Sequence, residues 1–140
     1  MTEAEAKRVI ADAFIAGWAA RAPDVPFSIE NEGAPSGDVF ALLTITMTTS
    51  GQLTIGGPGE RFVGRNGWIA VKLWGPINEG TTRLDALSEI VRDIFEMRFL
   101  AGPTGDEAID TDTTSTQPGG NDGRWLMQLA RTPFTVYETK

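Results

Sequence analysis

Hydrophobic and polar positions repeat with two different periods along the chain, and each period predicts a type of element. From residue 6 to residue 18 apolar side chains recur every three or four positions, which is the period of one helical face. Thr2 and Glu5 have the spacing of a capping box, which satisfies free backbone groups at a helix start. Pro23 cannot continue a helix. The pattern therefore predicts a helix from about residue 3 to Ala20.

Alternation with a period of two predicts the strands. Residues 39–49 place an apolar face against a face rich in threonine, which is typical of a half-buried strand. Residues 65–74 carry apolar bulk on both faces, and we therefore expect a central strand that is covered on each side. Further strands are expected at 27–31, 107–114 and 125–131. Pro133 follows the last of these and must sit at an edge or a bulge, because proline cannot donate to a sheet ladder.

A second stripe with the helical period predicts a helix from about Thr81 to Phe99, followed by Gly102 and Pro103. Two polar, glycine-rich stretches remain between the predicted elements. The first is an arm at about 51–66, and the second is a hairpin tip at about 113–123.

The order of these elements is helix, two or three strands, helix, two strands. Short connections between neighbouring strands favour antiparallel pairing. Two helices that each carry one apolar stripe can cover one face of such a sheet. We therefore predict one α+β domain spanning 1–140. It is a two-layer sandwich with a mainly antiparallel sheet of four to five strands, two amphipathic helices packed on one face and a long flexible hairpin arm.

Composition removes most catalytic chemistries. The 140 residues include no histidine and no cysteine, which excludes Ser-His-Asp and Cys-His nucleophiles, imidazole or thiolate zinc sites and disulfides. The net charge of −7 disfavours a sequence-independent grip on nucleic-acid phosphates. The acidic start is unlike a secretory signal, and no stretch approaches the ~20 apolar residues of a membrane span. We expect a protein made in the cytoplasm, with no membrane partner.

Two short motifs resemble ligand sites but are better explained by structure. The Gly-Gly-Pro-Gly run at 56–59 lacks the ending of a phosphate-binding P-loop and does not open a helix, so a hairpin loop is favoured. Asp106, Glu107, Asp110 and Asp112 could supply oxygen ligands to a cation, but their spacing fits no EF-hand loop. A solvated polar edge is the favoured interpretation. We predict no catalytic residue, no cofactor and no metal.

Arginine and aromatic residues near the arm are the candidate binding residues. Arg61, Phe62 and Arg65 lie in the glycine-rich segment, and Trp68 follows just beyond it. Arginine and aromatic side chains are typical anchors of protein interfaces, whereas stacking on bases is disfavoured in an acidic chain. Trp68 and Trp74 are expected on the strand face that the helices leave open. Exposed apolar bulk marks an interface, and core packing stays open as the alternative for this pair.

The run from Gly64 to Phe95 carries a family resemblance. It contains RNGWIAVKLWGP at 65–76, then NEG at 78–80, and then a long helix with an apolar-Phe pair at its end. An amphipathic helix with an acidic start and a strand precede this run. The chain resembles the tail terminator proteins of long-tailed bacteriophages, including their small terminator-like relatives, and the likeness covers nearly the whole chain. The long segment 51–66 departs from the family pattern.

The resemblance implies a structural role in the virion. Members of that family cap the growing tail tube as a hexameric ring, stop its polymerisation and present a joining surface to the head-side connector. The implied partners are further copies of the chain, the major tail tube protein and a neck protein, with DNA only as passing, non-specific cargo. The implied location is the head-proximal end of the tail. Because ring contacts are head-to-tail, they use two different surfaces, and the arm and the tip are the candidates.

Other functions stay open at this stage. Another head–tail completion or minor tail protein fits the same pattern. A small-ligand or regulatory binding module would need a concave apolar pocket with a few convergent polar groups. An enzyme that uses carboxylates alone would need two acids with separated pKa values, which the spacing does not indicate. Oligomeric state and the order of segment 51–66 distinguish these alternatives.

Overall fold

One mixed sheet dominates the computed structural model, which describes residues 1–30, 37–77, 80–103, 107–121 and 123–139. The elements of the described residues are α1 (Glu3–Arg21), β1 (Phe27–Ile29), β2 (Phe40–Gln52), β3 (Phe62–Pro76), α2 (Thr82–Phe95), β4 (Phe99–Ala101), β5 (Ala108–Thr111), β6 (Ser115–Asn121) and β7 (Trp125–Thr139). The strand order is β1-β2-β3-β7-β5-β4, and β6 pairs with the first part of β7. The β1–β2 pair is parallel and the other pairs are antiparallel.

The predicted two-layer sandwich with four to five strands was wrong. Within the described residues the sheet has seven strands, and it curls into a half-barrel that carries the two helices. Helix α1 contacts both β2 and β4, which are four positions apart in the strand order. In a flat sheet these strands would be about 19 Å apart, which is more than a helix about 10 Å wide can span. The sheet therefore bends around α1.

Helix α1 confirms the predicted helix and its cap. The Glu5 amide donates to the Thr2 hydroxyl at 3.1 Å, and the Thr2 amide donates to the Glu5 carboxylate at 2.8 Å, which completes the capping box. The helix buries one stripe, made of Ala6, Ile10, Phe14 and Trp18. These four are among the six positions that the helical period picked out, and the other two, Ala13 and Gly17, are half-buried.

Helix α2 ends at Phe95, four residues before the predicted end at Phe99. The chain turns at Met97, whose φ of 50° lies in the left-handed region. The buried hydroxyl of Thr111 donates to the Phe95 carbonyl and accepts the Arg98 amide at 2.7 Å. Because this distant side chain satisfies backbone groups at the helix end, the helix stops there and the chain enters β4.

The core lies between the helices and the inner face of the sheet. Alternate residues of the three long strands and one residue of β5 point into it: Ala41, Leu43, Ile45, Ile69, Val71, Leu73, Ile109, Ala130, Phe134 and Val136. A polar contact also joins α2 to β7, because the Gln128 amide donates to Asp85 and Ser88, each at 3.0 Å. The opposite side of the central strands, which we call the outer face, faces away from both helices.

The segment predicted as the hairpin tip is mostly a strand. Residues 115–121 form β6 and pair with β7, so most of this segment belongs to the sheet. A register shift between Pro118 and Gly120 accommodates the irregular sequence. In the described sheet β6 has a neighbour on one side only, which is where a strand tolerates proline.

Pro133 lies inside the continuous strand β7, opposite Trp68 of β3. Its carbonyl accepts the Asp112 amide at 2.9 Å, so the side of Pro133 that lacks an N–H faces away from β3. On that side the neighbour of β7 changes from β6 to β5, and the ladder is interrupted there. The missing donor therefore breaks no pairing with β3.

The predicted arm at 51–66 is only partly a loop. β2 continues to Gln52, β3 begins at Phe62, and residues 62–66 pair with the end of β7. Two further bonds close the hairpin, since the Leu53 amide donates to the Phe62 carbonyl and the Phe62 amide donates to the Thr54 hydroxyl, both at 2.7 Å. The part of the arm outside the strands is therefore residues 53–61.

Candidate protein interface

The predicted interface residues are spread along β3 and not gathered in one place. Phe62, Trp68 and Trp74 are six residues apart in turn, so all three lie on the outer face. Twelve residues of extended strand separate Phe62 from Trp74 by about 40 Å. The structure therefore places these three residues in different surroundings on one face of the sheet.

The two predicted arginines have different roles. Arg65 is on the inner side of β3, where its Nε donates to the Glu138 carboxylate at 2.8 Å and ties β3 to β7. Arg61 precedes β3 and is half-buried, and its Nε has no hydrogen-bond partner among the described residues. Arg65 is thus part of the sheet structure, whereas Arg61 retains a donor without a bond.

Trp74 belongs to a group of half-buried apolar side chains at one end of the outer face. We call this group the outer aromatic patch: Phe40, Leu42, Trp74, Trp125, Met127 and Leu129. Phe40 stacks on Trp74 with ring centroids 5.1 Å apart, and Trp125 meets Phe40 edge-on at 5.3 Å. None of these side chains belongs to the core under the helices. The patch is therefore a second, separate apolar cluster.

Cations lie on and beside these aromatic rings. The Arg131 guanidinium sits 3.7 Å from the centroid of the Trp68 ring, and that of Arg124 sits 5.5 Å from the Trp125 ring. Lys72 lies between Leu42 and Leu129 in the strand register, within the outer aromatic patch. Much of the aromatic surface is therefore already paired within the chain, and the patch carries positive charge.

The long strands have a charge balance opposite to that of the whole chain. β2, β3, β6 and β7 contain the basic residues Arg65, Lys72 and Arg131 and only one acidic residue, Glu138, although the chain has a net charge of −7. Glu138 is on the inner side with Arg65. The outer face of these four strands is consequently cationic within the described residues.

A second apolar surface lies at the end of the β2–β3 hairpin. We call it the hairpin end, and it consists of Leu53, Ile55 and Phe62, whose exposed fractions are 58%, 101% and 44%. Phe62 also contacts Tyr137, with ring centroids 5.9 Å apart. Large apolar side chains with this exposure are typical of contact surfaces.

A third surface follows α2, at the β4 edge of the sheet. We call it the acidic rim, and it consists of Met97, Phe99, Asp110 and Asp112. Met97 is 69% exposed, Phe99 is 73% exposed and both aspartates are exposed. Asp106, from the predicted acidic cluster, lies outside the described residues. Among the residues that the structure describes, no group of three or more His, Cys, Asp or Glu could hold a metal ion.

The depressions in the described surface are shallow. One of about 730 Å³ lies between α1 and the β1–β2 edge, lined by Arg8, Glu30 and Ile45 among others, and it opens widely to solvent. Another of about 500 Å³ lies on the outer face beside Trp68 and Asp110. The described chain also contains no helix long and apolar enough to cross a membrane. Flat contact surfaces are thus its main candidate sites.

Sequence reasoning missed most of these surface residues. For Phe40 the available signal was an aromatic residue on the threonine-rich, solvent-facing side of its strand. For Trp125 it was an aromatic residue at the start of a predicted strand. Met97 and Phe99 were assigned to the end of a helix, so their exposure was hidden. The place of Lys72 within the outer aromatic patch is apparent only from its strand neighbours in β2 and β7, which are distant in sequence.

Comparisons with known proteins show a shared fold and no named family. No family model and no curated protein matches the chain. Solved structures do match, and one that carries only a sequence identifier as its name has a TM-score of 0.72 at 17% identity. That match covers 97% of this chain and 96% of the other. At this identity the likeness shows the fold alone.

Proposed function

We propose that this chain is a structural virion protein that caps a phage tail tube as a hexameric ring. In this role it ends tube polymerisation and forms the joining surface to the head-side connector, at the head-proximal end of the tail. Its partners are further copies of itself, the tail tube protein and a neck protein. The resemblance of residues 64–95 to tail terminators supports this proposal, and so does the nature of the exposed surfaces.

The observation that carries the proposal is the presence of three separate contact surfaces on one small domain. The outer aromatic patch, the acidic rim and the hairpin end lie at different places on the same sheet. A ring subunit needs two different surfaces for its two neighbours, because head-to-tail contacts are heterologous. A capping subunit needs a further surface for the tube end. We assign the hairpin end to the tube, since it carries Ile55, the most exposed large apolar side chain of the described residues, at the end of the β2–β3 hairpin.

The test is polymerisation of the tail tube protein encoded in the same genome, with and without this chain. We expect shorter tubes in electron micrographs and a ring at one tube end. Light scattering across a concentration series should show a species of six subunits, either alone or bound to tubes. Ile55→Asp should abolish capping without affecting folding, because the Ile55 side chain is fully exposed. Thr116→Asp, at an exposed position on the edge strand β6, is the matched control.

Unchanged tube lengths together with no binding to tube ends would contradict the proposal. Binding to a tube end without any effect on tube length would instead favour another head–tail completion protein. A dimer that never grows would also count against a ring, because an isologous pair uses up its own contact surface.

A further inference from the structure

We infer that the outer aromatic patch of one copy receives the acidic rim of the next copy. This inference rests on the proposed ring, and it names the two surfaces that would join neighbouring subunits. It follows from the charge, exposure and position of the two surfaces.

The outer aromatic patch is suited to an acidic partner with apolar side chains. Its rings are held in place by mutual stacking, so few side chains lose freedom when a partner binds. Lys72 lies inside the patch, and Arg124 and Arg131 lie beside it over aromatic rings. Among the described residues of β2, β3, β6 and β7, no carboxylate lies on this face, whereas Asp110 of the neighbouring β5 does and belongs to the acidic rim.

The acidic rim has the complementary chemistry. Met97 and Phe99 are the two most exposed large apolar side chains of the described chain outside the hairpin end. Asp110 and Asp112 flank them, and both are exposed. From residue 93 to residue 112 the sequence contains six acidic residues and one arginine, Arg98, whose guanidinium turns back to the Asp93 carbonyl. Asp93, Glu96 and Glu107 form ion pairs within the chain, so Asp110 and Asp112 are the rim carboxylates beside the apolar pair. An apolar pair flanked by two exposed carboxylates matches an apolar patch that carries cations.

Lys72 and Trp74 of the patch lie away from the acidic rim of their own copy, although Trp68, under Arg131, lines the same depression as Met97, Asp110 and Asp112. The strand register aligns Phe99 with Asp110, Thr135 and Asn66, and Trp74 is eight residues further along β3. Phe99 and Trp74 are therefore three strand spacings apart across the sheet and eight residues apart along it, which separates them by about 30 Å. A face-to-face dimer through the patch would bring Lys72 of each copy together. Contact between patch and rim is heterologous and can close into a ring.

The same cations and rings are poorly arranged for single-stranded nucleic acid. Base stacking needs open aromatic faces. One face of Trp74 is occupied by Phe40, and one face of Trp68 is occupied by Arg131. A second copy of the chain is therefore the occupant that these contacts favour.

The test uses charge reversal on each surface. Lys72→Glu and Asp110→Lys should each weaken self-association on the order of ten-fold or more, because each places like charges together. A one-to-one mixture of the two variants should restore association, and so should a chain that carries both changes. Lys7→Glu and Asp12→Lys, at solvent-accessible positions on α1, are the matched controls. Phe99→Ser should also weaken association, since its exposed ring contributes little to folding. Sedimentation velocity across a concentration series measures each effect.

Several results would overturn the inference. If Lys72→Glu disrupts the assembly and Asp110→Lys does not, then the patch binds a different surface. If both variants disrupt it but their mixture stays dissociated, the two surfaces do not meet. If an oligothymidine quenches tryptophan fluorescence in the natural chain but not in the Lys72→Glu variant, the patch binds nucleic acid. If the natural chain stays a monomer at every concentration, the contact between patch and rim is also overturned. The proposed function is tested separately, by the length of the tail tubes.

Discussion

Two aromatic clusters on opposite faces of the sheet have nearly the same geometry and different solvent access. On the inner face, Phe14 stacks on Trp18 with ring centroids 5.2 Å apart and an interplanar angle of 26°. On the outer face, Phe40 stacks on Trp74 at 5.1 Å and 23°. In each cluster a third ring meets the phenylalanine edge-on, at 5.4 Å and 5.3 Å respectively. The inner pair is fully buried, whereas the outer pair is half-buried.

The difference shows that ring geometry alone does not make an aromatic cluster part of the core. A cluster becomes core when a helix covers it, and an uncovered cluster stays available for contacts. Helix α1 supplies the inner pair itself and seals it, and the Trp18 indole N–H donates to the Val25 carbonyl at 2.9 Å. No described helix covers the outer cluster. We therefore expect the inner rings to stabilise the fold and the outer rings to stabilise association.

The largest expected effect comes from removing the central ring of the inner cluster. Phe14→Ala should lower the free energy of unfolding by about 3–5 kcal/mol, because it leaves a cavity in a fully buried site. Urea unfolding followed by circular dichroism measures this loss. A loss below about 1 kcal/mol, the usual size for surface changes, would contradict the assignment of this cluster to the core.

A smaller effect on folding is expected from the outer cluster. Trp74→Ala should cost about 1–2 kcal/mol of unfolding free energy, since the ring is half-buried and loses one stacking contact. The same change should abolish self-association at concentrations where the natural chain assembles. Comparison with Phe14→Ala in the same unfolding assay is the control, and equal losses from the two changes would remove the distinction between the faces.

The smallest effect concerns the helix that seals the inner cluster. Thr2→Ala should cost about 1 kcal/mol, because it removes the hydroxyl that accepts the Glu5 amide in the capping box. Association should stay unchanged, since Thr2 is on neither surface that we assign to the ring contact. Thr113→Ala, at another exposed threonine, is the control and should change stability by less than about 0.5 kcal/mol. A change in association with Thr2→Ala alone would indicate that α1 takes part in the contact.

Local sequence signals predicted the elements whose structure depends on local interactions. The capping box of Thr2 and Glu5 and the apolar stripe of α1 are both present in the structure. The alternation in 65–74 correctly placed Ile69, Val71 and Leu73 on one face of a central strand. Trp68 and Trp74 therefore lie on the other face, as the alternation indicated. In each case the pattern is contained in a short stretch of chain.

Elements that depend on distant residues could not be predicted in the same way. Residues 115–121 contain Pro118, Gly119 and Gly120 and resemble a turn, yet they pair with β7 because that long strand offers them a partner. Helix α2 stops at Phe95 because Thr111, sixteen residues away, bonds to its last carbonyl. Neither signal is visible in the segment itself.

By itself, the sequence determined the chemistry available to this protein and the face on which each side chain of a regular element lies. The absence of histidine and cysteine, the helical stripe of α1 and the alternation of β3 are all local properties of the chain. Only the tertiary structure decided the number of strands, the curl of the sheet and which aromatic cluster became the core. Those outcomes depend on pairing and packing between segments far apart in sequence. The same ring contacts in the two clusters therefore have different consequences, because α1 folds over one face of the sheet and leaves the other open.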